Sequence, residues 1–418
     1  MNPWLVFILA VIICGYLLEL VVTLLNIQAL SPLLPEEFKD TFKQDDYQKS
    51  QEYTRATSRF GLVENSLSTV GVLLFLLLGG FNTFDLFARG FGYGPIITGL
   101  LYGALFLMMT SILSLPFSIY STFVIEERFG FNRTTIRTFI TDLIKVTLLS
   151  IVIGGPLLAL VLWFFETSGE WAWFYCWIGV TVISITLQLL APVIIMPLFN
   201  TFTPLEDDPL KAKITAYARQ QKFTMQGIFT MDGSKRSTKA NAFFTGFGRL
   251  KKIVFYDNLI DQLTDEELVA VLAHEMGHNK LHHIPKLIVA SILQTGLMFY
   301  LLSLFIHNEG LHQAFFMEHL SIYAGLLFFG FLYTPISLLT SILFHLYSRK
   351  KEFEADSYGA ESTKGPQHLI NGLKKLSRTN LSNLTPHPVY VFLHYAHPPV
   401  LERIHQLRTH SIQPGEQS

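Results

Sequence analysis

Charge is scarce in this chain. Only 15% of its 418 residues are Asp, Glu, Lys or Arg, where an average soluble chain carries about 25%. That shortage excludes an ordinary water-facing surface, and a net charge of −1 argues against a nucleic-acid partner gripped through its phosphates. Cysteine is scarcer still. Cys14 and Cys176 are the only two, each inside an apolar run, so neither a disulfide framework nor a Cys-based metal site can be assembled from them. Internal repeats and low-complexity tracts are also missing. No basic segment precedes the first apolar run, which is too long for a cleaved signal peptide and reads as a retained helix.

What is abundant is hydrophobic sequence, 50% of residues. A membrane span needs about 20 mostly apolar residues, and seven stretches qualify: 4–25, 62–81, 96–118, 143–165, 171–195, 286–306 and 322–345. Pro192 and Pro197 near the end of the fifth predict a kinked or broken helix. Loop charge gives the orientation. The segments 82–95, 166–170 and 307–321 contain Arg89 as their only Lys or Arg, whereas the alternate segments carry Lys39, Lys43, Lys49, Arg55, Arg59, Arg128, Arg133 and Arg137 and the later basic stretches. The positive-inside rule then sets the N-terminus outside, with 200–285 and the tail 346–418 in the cytoplasm. The resulting division is 1–199 for spans one to five, 200–285 for a polar domain, 286–345 for spans six and seven, and 346–418 for the tail.

The polar domain begins with a helical stretch, 208–221. Strands are expected over 228–232, 239–247 and 251–256, with Gly248 and Arg249 in a turn. Then comes LTDEELVAVLAHEMGHNKLHH, an amphipathic helix with Thr264 and Glu267 as a capping box. Within it His274 and His278 are four apart, so both imidazoles leave one helix face and can bind one zinc ion, with Glu275 as general base. A third ligand is needed. His282 lies about 12 Å from His274 along the helix axis, too far to share an ion, so His282 and His283 read as solvated helix-end residues. The better candidate is Glu352 in SRKKEFEADSYGA, directly after span seven, which would complete a His₂Glu set and leave one position open. Asp356, one turn on, would stand behind the ligands or handle protons. Glu354 faces elsewhere and reads as an ordinary charged residue. Glu19 and Glu64, ionisable groups in apolar spans, are expected to face a cavity or a partner.

Taken together, LTDEELVAVLAHEMGH, SRKKEFEAD, HYAHPPVLERI, FVIEERFGFNRTT, PLFNTFTPL and SKRSTKANAFFTG resemble the type I CAAX prenyl proteases, membrane zinc peptidases that process the yeast a-factor pheromone and prelamin A. The resemblance implies an all-α polytopic protein: seven membrane helices form a barrel around a water-filled chamber, capped by a small α+β zincin-type domain. It implies one Zn²⁺ held by His274, His278 and Glu352, with Glu275 as base and Asp356 as the second acidic residue. His397 and Arg403 match residues near the metal that steady the tetrahedral intermediate, and Asn241 and Ala242 match the edge strand that pairs with the peptide. From the residues alone, Asn241 reads equally as a strand-end turn residue, and the prolines after His397 equally as a fixed turn. His387 and His394 are read as structural.

The implied partners are a peptide or protein substrate, with or without a prenyl group, and membrane lipid. Short loops and a terminus without an endoplasmic-reticulum retrieval signal favour a bacterial inner membrane, where protein prenylation is generally lacking; broader membrane-protein turnover is then the alternative role. The acidic residues before HEMGH and Lys280 after it disfavour an intramembrane site-2-type protease. Seven spans and the HPPVLER segment disfavour the shorter heat-shock-linked membrane zinc proteases. A transporter or scaffold with structural zinc is the non-catalytic alternative.

Overall fold

The computed structural model describes residues 2–206, 209–246 and 251–411. Helix α1 (Pro3–Gln28) starts where the Asn2 side chain accepts from the Trp4 N–H, with Pro3 in the first turn, a position where its missing N–H is harmless. Then follow α2 (Gln44–Leu77), α3 (Gly80–Arg89), α4 (Pro95–Tyr120), α5 (Ile136–Leu149), α6 (Gly155–Thr167), α7 (Ala172–Leu190) and α8 (Met196–Phe199). Wide π-helical turns at 121–126, 150–154 and 191–195 continue α4, join α5 to α6 and join α7 to α8. The last contains Pro192, whose absent N–H such a turn accommodates. The first contains no proline, and nothing in the sequence announced it.

Among the described residues seven helical members are long and apolar enough to cross a bilayer, and they coincide with the seven expected spans. They are not packed as a solid bundle. No more than 17% of any apolar window is buried, so mid-span side chains face lipid or a lumen rather than one another. The packed apolar core gathers at one end, around Ile8, Leu76, Phe81, Tyr102, Leu162 and Phe328. These come from the first turns of α1, α3 and α4, the last turns of α2 and α6, and the start of α14 below. That end is plugged by aromatic packing; the space left between the plug and the opposite cap is the chamber.

The cap begins with β1 (Phe202–Pro204), α9 (Pro209–Gln220), β2 (Gly227–Met231), β3 (Ala242–Thr245) and β4 (Lys252–Tyr256). The sheet order is β1-β2-β4-β3, with β2 and β4 parallel and the outer pairs antiparallel. β3 is therefore an edge strand. The three expected strands appear, the one at 228–232 moved by one residue and the other two shortened to the residues that pair; Gly248 and Arg249 lie outside the described residues. After α10 (Asp257–Ile260) come α11 (Asp265–Lys280), α12 (His283–Phe305), α13 (Glu309–Ala314) and α14 (Ile322–Ser362), then α15 (Gln367–Thr379), α16 (Pro388–His394) and α17 (Val400–Ser411). Ile214, Ile228, Phe255, Leu268, Leu272 and Met276 form the cap's own core beneath the sheet.

Charged pairs fasten the cap to the spans. Lys239 sits 3.0 Å from Glu126, and Arg236 holds Asp142 through two hydrogen bonds of 2.7 and 2.8 Å. The Arg133 N–H donates to the Arg236 carbonyl and the Thr238 hydroxyl to that of Gly130. Two of the motif segments, 123–135 and 234–246, thus act as each other's dock. Of the two span carboxylates expected to find a cavity or a partner, Glu64 lines a cavity of about 570 Å³ between α2, α4 and α14. Glu19 instead meets His394 at 3.3 Å.

Candidate metal centre

The site is built where α11 crosses α14. The capping box at Thr264 and Glu267 starts α11 as expected, and two glycines set how close the helices come. A β-carbon on Gly277 would lie 3.1 Å from the Ala355 Cα, and one on Gly359 3.2 Å from the His274 N. Both contacts are against backbone, which cannot swing aside. Small residues at these two points let a carboxylate of α14 reach imidazoles of α11.

Three donor atoms meet there. His274 Nε2 and His278 Nε2 are 3.3 Å apart; Glu352 Oε1 lies 3.2 Å from His278 Nε2 and Oε2 3.5 Å from His274 Nε2. Glu352 is buried, yet its Oε2 has no hydrogen-bonding partner among the described residues. Two imidazole nitrogens facing a buried, unsatisfied carboxylate is an arrangement that a divalent cation completes. Bonds of about 2.0–2.1 Å at tetrahedral angles separate ligand atoms by about 3.3–3.4 Å, the spacing observed. The residues present therefore fit a metal ion.

Each imidazole is aimed by a different partner. His274 Nδ1 is 2.8 Å from Asp356 Oδ1. Asp356 in turn accepts two hydrogen bonds, of 2.8 and 2.6 Å, from the Arg403 guanidinium. Burial disfavours charge on His274, but hydrogen bonds to Asp356 and Glu352 outweigh it and raise the metal-free imidazole to about 9. His278 Nδ1 lies 3.0 Å from His283 Nδ1, and His283 Nε2 lies 3.1 Å from Glu354, which Lys351 also holds. One set of tautomers satisfies this second chain: His278 donates from Nδ1, His283 accepts at Nδ1 and donates from Nε2 to Glu354. It leaves the His278 Nε2 lone pair facing the metal position.

Here the solvated reading of His283 is corrected. It is 1% exposed, because His282 takes a left-handed conformation at φ 56° that turns the chain into α12 and folds the next ring back under His278. His282 itself is exposed. Glu354 does face another direction from Glu352, but it anchors His283 rather than merely decorating the helix. The sequence signal was weak: a histidine five residues after the HExxH helix's last ligand, beyond a helix break.

Glu275 is half-buried and makes no hydrogen bond or ion pair among the described residues, which leaves its carboxylate free to accept from water. His397 is well exposed and reaches Glu352 Oε1 at 3.4 Å; Arg403 Nη1 lies 3.8 Å from Oε2. Arg349 clamps the segment before His397 by donating to the carbonyls of Val391 and Tyr395. His387 caps α16. On β3, the Tyr256 N–H donates to the Asn241 carbonyl, so by antiparallel alternation Ala242 and Phe244 point their backbone groups to the free edge. The Ala242 N–H is covered by its neighbour's side chain, Asn241 Oδ1, at 2.9 Å.

A membrane barrel capped by a domain with an HExxH helix and a distal glutamate defines the class of integral membrane metalloproteases. Residues 23–201 match the family described as CAAX prenyl protease N-terminal, five membrane helices, and residues 204–411 match peptidase family M48. The chain belongs to peptidase family M48. It is 35% identical over 411 residues to the CAAX prenyl protease 1 homolog of Arabidopsis thaliana, covering 96% of this chain and 97% of that protein. It is 33% identical to CAAX prenyl protease 1 of Saccharomyces cerevisiae, covering 96% and 94%. The crystal structure of S. mikatae Ste24p superposes with a TM-score of 0.92 at 33% identity, covering 97% of this chain and 99% of that one.

Proposed function

We propose that this metalloprotease is a zinc endopeptidase in which His274, His278 and Glu352 hold the ion, Glu275 is the general base, and a peptide is laid along β3. The observation that carries the reading is the convergence of three ligand atoms beside Glu275, a carboxylate with no hydrogen bond or ion pair among the described residues. A scaffold with structural zinc has no need of that free carboxylate. When bound, zinc would lower the pKa of its water and polarise the scissile carbonyl. Glu275 accepts the proton from the attacking water and returns it to the leaving amine. His397 and Arg403, both on the Glu352 side, supply donors for the developing oxyanion, while Asp356 keeps His274 oriented and Arg403 charged and in place. The free edge at Ala242 and Phe244 receives the substrate backbone as an added strand, once the Asn241 side chain releases the Ala242 N–H.

The substrate class suggested by the relatives' names is the prenylated CAAX terminus; broader turnover of membrane proteins is the second reading. Loop charge supports an orientation with the N-terminus outside and the cap in the cytoplasm. The short loops favour a bacterial inner membrane, but the eukaryotic sources of the relatives point instead to the endoplasmic reticulum. The deciding experiment uses purified full-length protein and Glu275→Gln. The variant is expected to retain one zinc per chain and lose cleavage of a farnesylated CAAX peptide, while wild type cuts it faster than the unprenylated peptide. A wild-type protein that cuts neither peptide overturns the endopeptidase reading. Equal rates on the two overturn the prenyl preference alone.

A further inference from the structure

Away from the metal, Arg55, Arg59 and Arg128 line one cavity of about 670 Å³ where α2 meets the continuation of α4. None of the three makes an ion pair among the described residues, and Glu52 is the only carboxylate in the lining. Arginine is strongly hydrated less than lysine is, but three guanidiniums still repel one another, so their shared pocket calls for an anion.

The rest of the lining states what kind. Phe60, Val63, Tyr120 and Val124 give the same pocket an apolar floor beside the arginines. On α2, Arg55, Arg59, Val63, Val70, Leu74 and Leu77 follow one another at steps of four, four, seven, four and three, a single helical stripe. Its four apolar members are exposed. On the neighbouring rod Tyr120 and Val124, likewise exposed, lead at two steps of four up to Arg128. An exposed apolar stripe that runs up to a basic cluster at the end of a span matches the order of acyl chain and headgroup in a bilayer about 30 Å thick in its hydrocarbon part. Two such faces therefore converge on one basic pocket at the end of the spans.

We propose that this pocket is a binding site for an anionic membrane phospholipid. Its phosphate is held by Arg55, Arg59 and Arg128, and its acyl chain lies over Val63, Tyr120 and Val124. Guanidinium forks match phosphate oxygens two at a time, and basic pockets between membrane helices are suited to such headgroups. The site is separate from the metal centre and independent of the proposed peptidase activity.

The test is native mass spectrometry of the full-length protein extracted from vesicles of phosphatidylglycerol and phosphatidylcholine in equal amounts. Wild type is expected to retain one phosphatidylglycerol preferentially. The triple variant R55A/R59A/R128A should retain it at least about tenfold less, since all three charge contacts to the phosphate are removed. Val124→Trp, which fills the floor at an exposed position and leaves the arginines intact, should also lose the lipid. A wild-type melting temperature in both variants shows that each is folded. Equal retention by wild type and the triple variant overturns the site. So does displacement of the lipid by glycerol 1-phosphate at matched concentration, which would mark a pocket for soluble anions, or full retention by Val124→Trp, which would mean that no acyl chain is seated there.

Discussion

His274 and His278 present the same ring to the same point from one helix, yet they are held by opposite kinds of support. Behind His274 stands a buried carboxylate locked to a buried guanidinium: Asp356 and Arg403. Behind His278 stands a neutral imidazole, His283, and behind that a carboxylate one-third exposed, Glu354. The first support is charged, dry and made by two distant segments of the tail. The second is local and relayed, and it ends near water. Water screens the second and not the first, so the two ligands tolerate damage to their supports unequally.

The largest effect is therefore expected at Asp356. Asp356→Ala frees the His274 ring to turn and leaves Arg403 buried without its partner. Breaking a buried pair costs about 3–5 kcal/mol, and loss of a partner behind a ligand typically costs about 10–100-fold in metal affinity. Zinc affinity by competition with a chelator, together with melting of the metal-free protein, checks both. Wild-type values in both would break the comparison, for His274 would then need no support.

Acidity separates the two supports next. In the metal-free protein the folded pKa of His274, raised to about 9, exceeds the unfolded value of about 6.5. A raised pKa contributes stability that is fully present below about pH 6.5 and is lost as pH climbs through about 9. Metal-stripped wild type should thus melt at lower temperature at pH 9 than at pH 6.5. In Asp356→Asn, which keeps the shape and removes the charge, that dependence should flatten. Over the same window zinc binding should tighten, because the ion displaces the proton from Nε2. A metal-free melting temperature that rises toward pH 9 would contradict the sign.

How far the sequence announced this site follows the same divide. The spans were legible because bilayer thickness imposes a length that few other constraints imitate. His274, His278 and Glu352 were legible as candidates because helical spacing of four fixes a common face. Asp356 shares that face with Glu352, and Arg403 sits in a motif. His283 was not legible: its role depends on the left-handed backbone at His282, which places a ring by a turn rather than by a helical repeat. Gly277 and Gly359 were equally silent, since the need for a glycine arises only when another helix's backbone is known to lie within 3.2 Å. The π-helical turn at 121–126 had no proline to signal it.

The relay behind His278 gives the smallest effects, and they should come in graded order. His283→Ala removes the acceptor for His278 Nδ1 and is expected to weaken zinc binding by about tenfold, the low end for such partners, because water can enter and replace part of the lost bond. His283→Gln, whose amide can still accept from His278, should recover part of that loss. Glu354→Gln keeps an acceptor for His283 and removes only a charge already shared with Lys351 at a part-exposed position, where an ion pair is worth about 0–1 kcal/mol; a change under about fivefold is expected. The order of the three, read by the same chelator competition, is what tests the relay. Were Glu354→Gln to cost as much as His283→Ala, His283 would be anchored by the charge of Glu354 rather than by its hydrogen bond, and the two ligand supports would differ only in length.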